Sequence, residues 1–135
     1  MDQPLEPAGP AACVLIVDDH PVVIEGIAHL VEHASGLRVC ATVSTPDEAR
    51  RAASACRPDV ALIDLALGLT NALELIDEFA NTIGCPVAVY SLLDDEQWRA
   101  AALGRGAAAF ISKRSGTEQV VDTLLTLARS RMRAG

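Results

Sequence analysis

Cys13-Val14-Leu15-Ile16-Val17-Asp18-Asp19-His20-Pro21 decides the plan of this chain. Its five apolar residues are too few for a helix and rich in branched side chains, as in a strand buried on both faces. Two carboxylates follow at once, and Pro21 suits the first position of a helix capped just before it. The same order recurs downstream. Val60-Ala61-Leu62-Ile63 ends in Asp64, Val87-Ala88-Val89-Tyr90 ends in Ser91, and Ala108-Ala109-Phe110-Ile111-Ser112 ends in Lys113. Leu37–Val43 reads as one further strand, the second in order.

Helical patterns separate these strands. Val23, Ile27, Leu30 and Ala34 mark an apolar stripe that stops before Gly36. Thr45-Pro46-Asp47-Glu48 is a capping box opening an Ala-rich helix that runs to Cys56, where Arg57-Pro58-Asp59 breaks it. A loop over 65–70 precedes a helix from about 71 to 82, with Leu75, Ile76 and Phe79 inward. Another helix spans 94–104, with Gly106 after it as a stop, and Ser115-Gly116-Thr117-Glu118 reads as a second capping box before the last helix. Five strands alternating with five helices, joined by right-handed crossovers, make an α/β domain with a parallel sheet covered on both faces.

The ligand crevice of such a sheet lies at the carboxyl ends of its strands. Asp18, Asp19, Asp64, Ser91 and Lys113 would therefore converge on one rim. Carboxylates crowded in a partly desolvated cleft repel one another unless a cation sits among them. Hard oxygen ligands favour Mg2+, which binds through one or two carboxylates plus a phosphate. Asp64 is the candidate nucleophile, able to form an aspartyl-phosphate. Lys113 supplies a second positive contact to the phosphoryl oxygens, and Ser91 a hydrogen-bond donor.

Composition agrees with this reading. The 135 residues fit one domain able to bury a core. Half of them are apolar but only 3% aromatic, so that core is made of Ala, Val, Leu and Ile. A net charge of -7 argues against nucleic-acid or membrane binding by this chain and suits a cation site. Cys13, Cys40, Cys56 and Cys85 form no C-x-x-C pair and read as small buried hydrophobes. Residues 1–11 are Pro-rich and acidic, a flexible lead-in with no signal-peptide or transmembrane pattern. The domain is expected over 12–130, with 131–135 a basic tail or the start of a linker, and the location cytoplasmic.

Other motifs carry less. His29-Leu30-Val31-Glu32-His33 matches the H-x-x-E-H zinc-peptidase pattern, but no third ligand or large cleft accompanies it. Gly104-Arg105-Gly106 closes a helix rather than opening one, unlike a dinucleotide fingerprint. There is no P-loop, and the Asp-x-Asp of haloacid-dehalogenase phosphatases is replaced by Asp18-Asp19-His20. His20 itself reads as a loop residue beside the acidic pair.

The stretches 14–21, 58–65, 90–91 and 106–113 together resemble a receiver domain of two-component response regulators, most of all those preceding a LuxR-type DNA-binding domain. The resemblance implies a flavodoxin-like, doubly wound sheet in the order 2-1-3-4-5. It implies that Asp64 is the phosphoacceptor for a sensor histidine kinase. Asp18, Asp19, Asp64 and the backbone carbonyl of Ala66 would bind Mg2+. Ser91 and Lys113 would sense the phosphate, and Phe110 would be the aromatic switch. A helix-turn-helix output domain, controlling transcription, is implied downstream. The alternative is a stand-alone or pseudo-receiver serving as an interaction module. A homodimer would use the first and last helices or the face of the fourth helix, fifth strand and fifth helix.

Two departures stand out. Gly68 and Ala72 replace the proline and glycine that the family commonly has, so the loop after Asp64 is expected to be less stiff. Leu92 and Leu93 crowd Ser91 and are expected to alter access of water to a phosphoryl group.

Overall fold

The computed structural model of the chain describes residues 11–134, so the lead-in expected over 1–11 lies, but for its last residue, outside the described residues. In order the elements are β1 (Ala12–Val17), α1 (Pro21–Glu32), β2 (Leu37–Val43), α2 (Pro46–Cys56), β3 (Val60–Ile63), α3 (Leu69–Asp77), β4 (Val87–Ser91), α4 (Glu96–Gly104), β5 (Ala109–Ser112) and α5 (Glu118–Ala134). The strands are parallel and lie in the order β2-β1-β3-β4-β5. The chain goes one way from β1 and then the other, so the topological switch falls between β1 and β3. Asp18 and Asp64 leave the sheet at that point.

Alternation along the strands divides the core in two. Val14 and Ile16 of β1, Val60 and Leu62 of β3, Ala88 and Tyr90 of β4, and Ile111 of β5 pack with Ile27 and Val31 of α1 and with Val120 and Leu124 of α5. Their neighbours Leu15, Val17, Ala61, Ile63, Val87 and Val89 face Ala49 and Ala53 of α2, Leu75 and Ile76 of α3, and Ala102 of α4. Period two on a sheet covered on both sides makes the central strands apolar up to their carboxyl ends. One register shift interrupts the pattern. Val14 pairs with Val39 but Leu15 pairs with Ala41, so Cys40 is an extra, unpaired residue in β2.

Local chemistry accounts for the helix ends. Thr45 Oγ1 accepts the Glu48 N–H at 3.1 Å, while the Glu48 carboxylate reaches the Ser44 N–H at 2.9 Å. The first capping box is thus formed, shifted by one residue on its return bond. The second is not. Ser115 sits in a 3-10 turn, its hydroxyl donates to the Ser112 carbonyl, and α5 begins only at Glu118.

The segment after Asp64 also differs from the loop and helix expected. A 3-10 turn over Leu65–Leu67 leads through Gly68 into α3, which starts at Leu69 rather than near 71. Gly68 takes φ 104°, a conformation closed to proline, so this loop follows a path the usual residue could not. Ala72 is fully buried at the start of α3. The helix then widens into a π-helical segment, Glu78–Ile83, beyond which the Gly84 and Cys85 N–H groups both close on the Phe79 carbonyl, the latter at 2.8 Å.

His29 on α1 and His33 just past its end lie exposed, with ring centroids 4.1 Å apart. His33 Nδ1 donates to the His29 carbonyl at 2.9 Å, and Glu32 accepts the Val39 N–H at 3.0 Å. Among the described residues, no third ligand joins them. No described helix is long and apolar enough to cross a membrane.

Phe79 heads the fully buried side chains by volume. Phe79→Ala is expected to lower unfolding free energy by about 3–5 kcal/mol, measured by urea denaturation, because it empties a site walled by sheet and α3.

Candidate functional site

The sheet ladder runs directly into two carboxylates. Asp18 N–H donates to the Val43 carbonyl and Asp64 N–H to the Val17 carbonyl, both at 3.0 Å, so each backbone is pinned where its strand stops. Asp18 and Asp64 are 3% and 1% exposed. Lys113, just beyond β5, reaches both, its Nζ 2.8 Å from Asp18 Oδ2 and 2.8 Å from Asp64 Oδ2. Its ammonium lies 5.7 Å from the centre of the Tyr90 ring on β4, the strand it must cross.

The remaining residues complete one rim. Ala66 donates its N–H to Asp64 Oδ1 at 3.0 Å. Ser91 is fully buried at the end of β4, and its Oγ accepts the Leu93 N–H at 3.1 Å. Asp19 is half-exposed at the mouth. Phe110 is partly buried on the α2–α4 side of the sheet, with the Arg99 guanidinium 5.9 Å from its ring centre. Leu92 and Leu93 remain substantially exposed beside Ser91.

His20 belongs to the cluster more closely than a loop bystander would. Its Nδ1 lies 2.8 Å from Asp18 Oδ1, 3.5 Å from Asp19 Oδ1 and 3.4 Å from Asp64 Oδ2. Asp18, Asp19, His20 and Asp64 can each offer one ligand atom, all within 4.8 Å of one another. Such an oxygen-rich set, with two carboxylates buried, fits a hard divalent cation.

Electrostatics favour the charged forms. Burial pushes the Asp64 carboxyl up, but hydrogen bonds from Lys113, the Ala66 N–H and Ser91 more than offset it and leave the group below its ordinary range. Burial works against the Lys113 ammonium as well, yet Asp18 and Asp64 hold its pKa above the usual lysine value.

A second network, invisible in the motif pattern, joins the two loops that carry Ser91 and Lys113. Ser112 donates its hydroxyl to Asp94, and Arg114 donates to Asp94 Oδ1 at 2.8 Å and to the Leu92 carbonyl at 3.2 Å. These bonds, from Ser112 first and then Arg114, hold the Asp94 carboxyl below its ordinary value. Asp94 is thereby kept out of α4, which starts at Glu96 instead of 94. The flanking of Lys113 by Ser112 and Arg114 was the only trace of this network in the sequence.

The family follows from comparison. Residues 14–125 match the response regulator receiver domain, and the chain belongs to that family of two-component signalling domains. It is 28% identical over 122 residues to the nitrate/nitrite response regulator protein NarL of Escherichia coli, covering 90% of this chain and 56% of that protein. It is 29% identical over 119 residues to the oxygen regulatory protein NreC of Staphylococcus aureus, covering 84% and 54%. The chain thus spans about half the length of the curated relatives it matches. A LuxR-family two-component response regulator from Aurantimonas shares the fold at a TM-score of 0.81 and 24% identity, over 90% of this chain and 88% of that one. The resemblance to LuxR-type receivers holds, and the chain is a signalling receiver domain.

Removing the ammonium between two buried carboxylates is costly. Lys113→Met is expected to destabilise the metal-free protein by about 3 kcal/mol near pH 8. In the wild type the depressed Asp64 pKa adds stability above its ordinary value of 3.8, lost as pH falls through the folded-state value. Without Lys113, burial and the neighbouring Asp18 raise that pKa, and the stability is lost as pH rises. Urea denaturation in chelator should therefore show the variant more stable near pH 5 than near pH 8.

Proposed function

We propose that this chain is a phosphoacceptor receiver, phosphorylated on Asp64 by a sensor histidine kinase. The observation that carries this reading is the buried Asp64 carboxylate at the end of β3, 2.8 Å from the Lys113 ammonium and within the four-residue acidic cluster. A carboxylate so placed is ionised, oriented and shielded from bulk water, as a nucleophile for phosphorus needs to be. As its oxygen bonds to phosphorus, the bond from phosphorus to the donor's histidine nitrogen breaks.

Asp18, Asp19, Asp64 and the Ala66 carbonyl would hold Mg2+, which when bound neutralises charge on the phosphoryl oxygens. Lys113 donates to one of those oxygens in exchange for its present bond to Asp64. Ser91 turns its hydroxyl proton toward another, and Phe110, on the neighbouring strand β5, follows that movement and alters the surface of α4, β5 and α5. That surface acts on an output, transcription through a helix-turn-helix domain downstream of α5, which carries the domain past the expected end at 130 to Ala134. The kinase and a second copy of the chain are the protein partners, at a cytoplasmic location. The net charge of -7 leaves DNA contact to the output domain.

The test is phosphorylation of purified protein by a small acyl-phosphate with Mg2+, followed by phosphate-affinity electrophoresis. Wild type should shift and Asp64→Asn should not. Equal labelling of the two would remove Asp64 from the role, and labelling that persists in chelator would remove the cation.

A further inference from the structure

The fold assembles a thiol pair away from the acidic rim. Cys40 and Cys56, sixteen residues apart in sequence, meet where β2 lies under the end of α2, and the Cys56 thiol sits 3.7 Å from the Cys40 carbonyl. The Cys56 thiol is near enough to add to the burial that raises the Cys40 thiol. Both residues are partly exposed, whereas Cys13 and Cys85 are buried.

The register shift explains why they meet. Strict alternation would put Cys40 and Ala41 on opposite faces of β2. The bulge leaves Cys40 unpaired and turns both residues to the α2 side. A bulged residue is held less tightly by the ladder than its neighbours. Cys56 is likewise the last residue of its helix, followed by Arg57 in the left-handed conformation at φ 52°. Both cysteines thus stand at irregular points of the backbone, one at a bulge and the other at a helix end.

We propose that Cys40 and Cys56 form an oxidative modification site, a dithiol that hydrogen peroxide closes to an intramolecular disulfide. Cys56 Sγ attacks one peroxide oxygen, the O–O bond breaks, and Cys56 becomes a sulfenic acid as the first water leaves. Cys40 Sγ then attacks the Cys56 sulfur, gives up its proton, and the second water leaves. Two thiols and one peroxide become one disulfide and two waters. Burial, reinforced by the neighbouring Cys56, pushes the Cys40 thiol up to about 12, so Cys56 rather than Cys40 is the thiol that meets the oxidant first. In a reducing compartment such a pair rests open and closes only under oxidant.

The experiment treats the native chain with a small excess of hydrogen peroxide, blocks remaining thiols after denaturation, and maps linked peptides without reduction. The expected product is a Cys40–Cys56 link that dithiothreitol reverses. It should persist in Cys13→Val and vanish in Cys56→Ser, with circular dichroism confirming that both variants fold. A Cys13–Cys40 link, only intermolecular links, or only sulfinic acid on single cysteines would each overturn the assignment.

Discussion

One ammonium between two buried carboxylates organises this molecule. Asp18 and Asp64 stand at the ends of adjacent strands with almost no exposure, an arrangement that repulsion and desolvation forbid unless a cation intervenes. Lys113 is that cation, 95 residues beyond Asp18 in sequence. It comes from the edge strand β5, and its long stem crosses the end of β4 over Tyr90 to reach the β1–β3 switch point. The order of the sheet and the charge balance of the site are therefore one constraint. In this order the lysine leaving β5 lies within reach of both carboxylates.

That constraint extends outward through the two loops beside Lys113. Ser112 and Arg114 flank the lysine and both bind Asp94, which lies three residues beyond Ser91. The turn that aims the lysine and the loop that holds the serine are thus tied to one carboxylate. Arg114 is exposed, so the ion pair adds little to stability. Its consequence is geometric, since displacement at either loop is felt at the other.

Much of this was legible beforehand because burial on both faces leaves a plain imprint. Central strands become short apolar runs, and the polar residue ending each run marks the rim. Asp18, Asp64 and Lys113 are brought into direct contact, with Ser91, Asp19 and Ala66 around them. The misreadings share a cause, namely backbone detail set by long-range partners. Ser115 has the spacing of a cap but bonds backward to Ser112. Asp94 looked like the start of α4, yet Ser112 and Arg114 claim it. His20 does lie in the loop beside the acidic pair, as read, but nothing local shows how close its ring comes to Asp18. The bulge at Cys40 leaves no local signal, since β2 is apolar on either side of it.

By itself the sequence determined the alternation of strands and helices, the class of sheet and the identity of the polar residues at the strand ends. These follow from periodicity and from side-chain chemistry, both of which are local. Tertiary structure alone decided which of those groups touch: Lys113 bridging Asp18 and Asp64, Asp94 joining two loops, and Cys40 turned toward Cys56. Such contacts depend on strand order, register and the reach of each side chain across neighbouring strands, and none of these is written within a few residues of the groups concerned.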